Sequence, residues 1–209
     1  MDPVDQAIPI GNVLRADIRG FVVASRIPEP DVPTFGTFVR APIQEGRAQL
    51  IGLVYDIRLQ DDPFLRHLAA TLNEDNPHHQ EIIADQRERV IPVEIGVTAV
   101  GYRSAENVYR YGLPPQPPMI LKQIIVCRPQ EVKEMTVRPD WLHPLLENPD
   151  VPVDALIART LERSARLYGE RGSEAHERYL LAASRYLARF LAREPLRLET
   201  ILRQLGVEE

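Results

Sequence analysis

Cysteine is nearly absent from this chain. Cys127 stands alone among 209 residues, so no internal disulfide can close a loop, and its neighbours Ile124, Ile125 and Val126 mark it as a buried small hydrophobe. Lysine is scarce too: Lys122 and Lys133 are the only lysines among 25 cationic residues. The rest are arginines, which keep their charge and form planar bidentate contacts. No uncharged apolar run approaches the ~18 residues that a membrane span needs. The start, Met1-Asp2-Pro3-Val4-Asp5, is acidic and lacks the basic-then-apolar order of a signal peptide, so a cytoplasmic address is expected by default.

Positive charge is not in excess anywhere. The net charge is −5, with 14 basic against 18 acidic residues up to position 135 and 11 against 12 beyond it. Phosphate binding is driven by clustered cations, so general attraction to nucleic acid is not expected, although a local basic face is still compatible with these totals.

Catalytic signatures are missing as well. No G-x-x-x-x-G-K-[ST] is present to cradle a phosphate, no serine lies in G-x-S-x-G, and no C-x-x-C or H-E-x-x-H supplies a metal set. A cysteine on an apolar strand is a poor nucleophile, because burial disfavours the thiolate. The best metal candidate is a helix face carrying His78, Glu81 and Asp85, next to His79; a solvated helix start after Pro77 explains the same residues. Catalysis by this chain alone is therefore not expected, nor is a metal or other cofactor.

What is present is β pattern. Gly11-Asn12-Val13, Phe21-Val22-Val23, Gly36-Thr37-Phe38-Val39 and the run Ile51 to Ile57 recur at the spacing of a small closed barrel. Strands are expected over 10–27, bent or broken at Gly20, over 37–43 and over 49–59. Asp61-Asp62-Pro63 is a helix start, and Phe64, Leu65, Leu68, Ala69 and Leu72 follow at helical spacing, so a helical insertion is expected over about 63–89. β character returns with Val93, Ile95, Val97 and Ala99 alternating. A proline tract, Pro114 to Pro118, precedes a closing strand over 119–127.

These glycine and β-branched clusters, with Gly101-Tyr102-Arg103, the polar loop, the prolines and the last strand, resemble the HAS barrel shared by HerA-type DNA translocases and ATP synthase catalytic subunits. The resemblance covers roughly 8–129. It implies a stand-alone barrel without the ATPase core that follows it in those families.

Beyond Pro139 the pattern is helical. Asp140-Trp141-Leu142 is expected to form a turn that packs the only tryptophan. A helix after Pro152 carries Val153, Leu156, Ile157, Leu161, Leu167 and Tyr168 on one side, and Gly169 to Gly172 breaks it. Ser173 caps a second helix with the stripe Tyr179, Leu180, Ala183, Tyr186, Leu187, Phe190 and Leu191. Glu194-Pro195 separates it from a last amphipathic helix ending at Gly206. The expected fold is α+β: a small closed β-barrel with inserted helices over 8–129, then a helical bundle over 139–206.

Two groups of side chains suit partner binding. Tyr102, Arg103, Tyr109, Arg110 and Tyr111 form an aromatic and cationic cluster, of a kind that anchors protein interfaces or stacks bases, or that simply packs a barrel-rim loop on its own helices. Tyr179, Tyr186 and Phe190 add large apolar surface to the second long helix. The arginines 159, 163, 166, 178, 185, 189 and 193 recur at helical intervals among glutamates, which fits a salt-laced solvated face. The expected function is a noncatalytic accessory or assembly subunit that binds a HerA-like ATPase or NurA-like nuclease in DNA processing, or that self-associates. A nucleic-acid-binding barrel and a metal-dependent enzyme using the His78 region are the alternatives.

Overall fold

The computed structural model describes residues 8–25, 33–59 and 93–206. The helical insertion expected over 63–89, with His78, Glu81 and Asp85, lies outside the described residues.

The expected α+β class and closed barrel are found. Strands β1 (Pro9–Asp17), β2 (Gly20–Ser25), β3 (Phe38–Ile43), β4 (Ala48–Leu59), β5 (Val93–Arg103), β6 (Tyr109–Tyr111) and β7 (Gln123–Val126) run in the order β2-β1-β7-β3-β4-β5-β6. A further pairing of β2 with β5, from Gly20 opposite Thr98 to Ser25 opposite Val93, closes six of them into an antiparallel barrel. Among the described strands only β6 hangs outside the closed wall, paired with the end of β5. Residues 9–25 thus form a hairpin whose turn lies between Asp17 and Gly20, with the Asp17 carboxylate accepting from the backbone N–H groups of Arg19 and Gly20.

Period-two alternation fills the barrel. Ile10, Val13, Phe21, Val23, Val39, Ala41, Leu50, Val54, Ile95, Val97, Ala99 and Ile124 form one buried interior cluster. The opposite side of the same strands is also apolar: Phe38, Ile51, Leu53 and Val100 belong to a second cluster shared with the helices. Register shifts between Ile51 and Gly52, and between Val54 and Asp56, interrupt the β4–β5 ladder, and such bulges bend a strand around a barrel corner.

Five helices follow: α1 (Pro129–Thr136), α2 (His143–Leu146), α3 (Val153–Tyr168), α4 (Glu174–Phe190) and α5 (Pro195–Gln204), with a 3-10 turn at Pro139–Leu142. Helix α1 begins ten residues before the sequence pattern turned helical at Pro139. It is short, and Arg128-Pro129 leads into it without a serine, threonine or aspartate cap. The closing strand is also shorter than expected over 119–127. Leu121 sits at φ 64°, a left-handed conformation that a strand residue does not adopt, so Met119 to Leu121 form a turn and β7 starts at Gln123.

The helical layer reads as its stripes require. Trp141 is fully buried and meets Phe38 edge-on at 5.6 Å. Ser173 caps α4, its Oγ accepting from the His176 backbone N–H at 3.4 Å. Arg159 and Arg166 both pair with Glu162, and Arg178 pairs with Glu174, so these arginines belong to a salt-laced face. Arg163 does not: its guanidinium donates to Thr34 Oγ1 at 2.8 Å and Thr37 Oγ1 at 3.0 Å, which ties α3 to the loop before β3. No helix among the described residues is long and apolar enough to cross a membrane.

Gly20 sits at the seam where β2 meets β5, and a Cβ there would lie on the Val97 carbonyl oxygen. Gly20→Ala should therefore cost about 2 kcal/mol or more, because backbone and not a flexible side chain must move. Urea unfolding of the two proteins checks this; an unchanged midpoint would show that the seam gives way freely.

Candidate partner-binding site

The ladder between β5 and β6 decides where the aromatic and cationic cluster faces. Gly101 pairs with Tyr111, Tyr102 with Arg110, and Arg103 with Tyr109. Directly opposed residues share a face and neighbours alternate, so Arg103, Tyr109 and Tyr111 lie on one side of the ribbon and Tyr102 and Arg110 on the other. Tyr109 and Tyr111 pack on the helical core, whereas Tyr102 packs against the barrel cluster. Gly101 makes this close approach possible, since a Cβ would press on the Arg110 carbonyl oxygen and come within 2.7 Å of Met135 Cε on α1.

The five residues are therefore split between two environments. Tyr109 and Tyr111 are half-buried, and burial is the main cause that pushes both phenols above their ordinary range. The carboxylates of Glu134 and Glu131 raise Tyr109 further, and Asp140 raises Tyr111, while Arg103 opposes the shift at Tyr109.

A surface cleft of about 790 Å³ opens between this hairpin and α1. Its walls include Arg103, Asn107 and Tyr109 from the ribbon and Arg128, Lys133 and Glu134 from the helix. Beneath it lies the Glu131 carboxylate, with a side chain only 5 % exposed. One of its oxygens accepts from the Arg128 backbone N–H at 2.9 Å, satisfying a free donor at the start of α1. The Arg128 Nε lies 3.5 Å from that same oxygen, and the other oxygen is 3.4 Å from Arg40 Nε on β3. Glu131 thus joins a barrel strand to the first helix. Spacing in the sequence held a faint signal for it, a glutamate three residues after the residue that precedes a helix-starting proline.

The second expected group is not a single surface either. Tyr179 is core: its ring stacks on Tyr168 at 4.5 Å, and its hydroxyl is buried beside Ser164, Thr136 and Trp141. Tyr186 and Phe190 stack at 6.5 Å, His143 meets Phe190 edge-on at 5.1 Å, and Phe190 stays 41 % exposed. Tyr111 and Tyr186 both feel the Asp140 carboxylate.

Sequence reasoning missed an apolar rim. Met119, Ile120 and Leu121 are 66, 63 and 77 % exposed, and the Leu121 N–H donates to the Val13 carbonyl at 2.8 Å, next to exposed Leu14. The register of β1 shifts at Leu14, which makes it a bulged residue. Among the described residues no group of three His, Cys, Asp or Glu could hold a metal. Burial raises the Cys127 thiol well above its ordinary range, which keeps it protonated and unreactive.

No protein-family model matches the chain, and no curated protein matches it.

Removing the Glu131 side chain strands the half-buried Arg40 and undoes the α1 cap. Glu131→Ala should cost about 3 kcal/mol, and Glu131→Gln less, because the amide still accepts from Arg128 N–H. Chemical denaturation of both variants measures the difference; equal stability of Glu131→Ala and the parent would mean that the pair is solvated.

Alkaline pH gives a second test. Tyr109, Tyr168 and Tyr179 all have raised phenol pKa values, so above about pH 10 the unfolded chain loses protons that the folded chain keeps. Stability should be complete below that pH and fall as pH rises beyond it. Tyr109→Phe should flatten part of the decline, as read from denaturation midpoints between neutral pH and alkali.

Proposed function

We propose that this chain is a noncatalytic accessory or assembly subunit that binds a HerA-like ATPase, or the NurA-like nuclease that works with it, in DNA processing. The sequence resemblance to the HAS barrel suggests the partner class. The apolar rim carries the reading of a docking protein: three consecutive long apolar side chains, Met119 to Leu121, stand in solvent on a turn whose last residue has φ 64°. A bulky residue at positive φ is an unfavourable conformation, and exposing three such side chains forgoes the hydrophobic gain of burying them. Contiguous apolar exposure of this kind marks an interaction site in soluble proteins.

Lipid is the poorer occupant for the rim. Lys122 is the only cation in or directly beside the turn, and a chain of net charge −5 is repelled by an anionic membrane surface. Nucleic acid is poorer still, since the rim offers no phosphate-binding array. A pocket on another protein suits it, with the barrel as the rigid support.

The test is co-purification of the whole chain with a HerA-like ATPase and with a NurA-like nuclease from the same genome. The native chain should be retained, and Ile120→Asp should weaken retention at least tenfold, because a charge would have to enter an apolar pocket. Retention of neither partner by the native chain would rule the assignment out.

A further inference from the structure

We propose that the small crevice between helix α3 and residues 36–38 at the start of β3 binds a short aliphatic monocarboxylate. The site is separate from the apolar rim, and it stands whether or not the chain binds an ATPase or a nuclease.

One ionised side chain lines this crevice among the described residues, and it is a cation. The space, about 150 Å³, lies between Thr37 and Phe38 of the barrel, Val132 of α1, and Arg163, Ser164 and Leu167 of α3, with no carboxylate in its described walls. Arg163 is half-buried, and only its Nη1 is engaged, donating to the Thr34 and Thr37 hydroxyls and the Phe35 carbonyl. Its Nε and Nη2 make no hydrogen bond to a described residue. The adjacent Glu162 is committed elsewhere, one oxygen to Arg159 at 2.9 Å and the other to Arg166 at 2.6 Å. Burial is the main cause that lowers the Arg163 pKa; the charges of Arg159 and Arg166 lower it further, and Glu162 opposes them. The guanidinium therefore sits in a positive surrounding with part of its planar fork unused. A carboxylate matches such a fork with two parallel charge-assisted bonds.

The other walls define the rest of the ligand. Phe38, Val132 and Leu167 are apolar, so they favour a hydrocarbon tail beside the charged head. At the Gly36 end, Thr160 Oγ1 is fully buried without a hydrogen-bond partner, and a Cβ on Gly36 would stand 3.1 Å from it. A buried hydroxyl left unpaired is costly, which makes it a further polar anchor on that side. A space of about 150 Å³ accepts a molecule of roughly benzene size, hence a carboxylate with about three or four further carbons. Inorganic phosphate suits it less, because its oxygens would be pressed on apolar walls with one cation to receive them. A neutral amide leaves the guanidinium unpaired, and an amine is repelled by it.

The experiment titrates the isotope-labelled full chain with valerate at neutral pH and follows the amide NMR signals of Gly36 and Thr37. Valeramide, inorganic phosphate and the straight-chain carboxylates from acetate to octanoate are the other probes. Valerate should give a saturable shift, with valeramide at least about tenfold weaker and affinity peaking at about four or five carbons. Arg163→Met should weaken valerate about tenfold or more, and Arg163→Lys less, since an ammonium keeps the charge but not the fork. Leu167→Trp takes up space while leaving the charge in place, so it should move the optimum to shorter chains. Arg189→Met, at an exposed position on α4, should change nothing. Equal affinity for valerate and valeramide, tighter binding of phosphate, unchanged affinity in Arg163→Met, or no saturable shift with valerate would each overturn the proposal. Thermal melting shows whether Arg163→Met is folded; if it is not, the valeramide comparison and the chain-length series in the native chain and in Leu167→Trp decide.

Discussion

The wall formed by β3, β4 and β5 must bury both of its faces, and most of the molecule follows from that. Val39, Leu50, Val54, Ile95 and Val97 fill the barrel, while Phe38, Ile51, Leu53 and Val100 point away from it. An antiparallel sheet normally leaves one face wet. Here the outer side chains would form an apolar patch if nothing covered them, and burying each one fully contributes roughly 1.5–3 kcal/mol. Helices α1 to α5 and the turn carrying Trp141 supply the cover, so the second core is shared between barrel and helices. The helical layer is bound into the barrel wall through side chains of both.

Apolar packing fixes distance but leaves direction loose, and a polar contact at the margin supplies the direction. Glu131 meets Arg40 from the barrel, and its cap on the Arg128 N–H sets where α1 begins. A buried carboxylate tolerates few positions, because its desolvation is offset only when donors surround it. The Arg163 guanidinium, bonded to Thr34 and Thr37, performs a similar service for α3. With α1 placed by Glu131 and the hairpin placed by the close approach at Gly101, the cleft between them has defined walls.

Two distinct surface features result. Met119, Ile120 and Leu121 stand exposed on the rim, and Arg103 and Lys133 line the cleft. Most aromatic residues of the two expected groups serve packing. Tyr109, Tyr111, Tyr179 and Tyr186 pack on the helical core, while Phe190 stays exposed.

Local sequence by itself determined the strands and the long helices. The alternation of Val93, Ile95, Val97 and Ala99, the turn chemistry before Gly20, the Ser173 cap and the 3.6-residue stripes are short-range features, and each acts within a few residues of itself. Barrel closure was legible because regular short strands with interrupting glycines leave few other arrangements. Helix α1 and the turn at Leu121 were not legible: one is short and capped by its own Glu131, and the other holds leucine where local preference favours glycine. The site was legible only as a set of residue types. Which of Arg103, Tyr109, Arg110 and Tyr111 face solvent depends on strand register and on what α1 covers, and Arg40 meets Glu131 across ninety positions of chain. Long-range pairing of that kind carries no local pattern, so tertiary structure alone decided it.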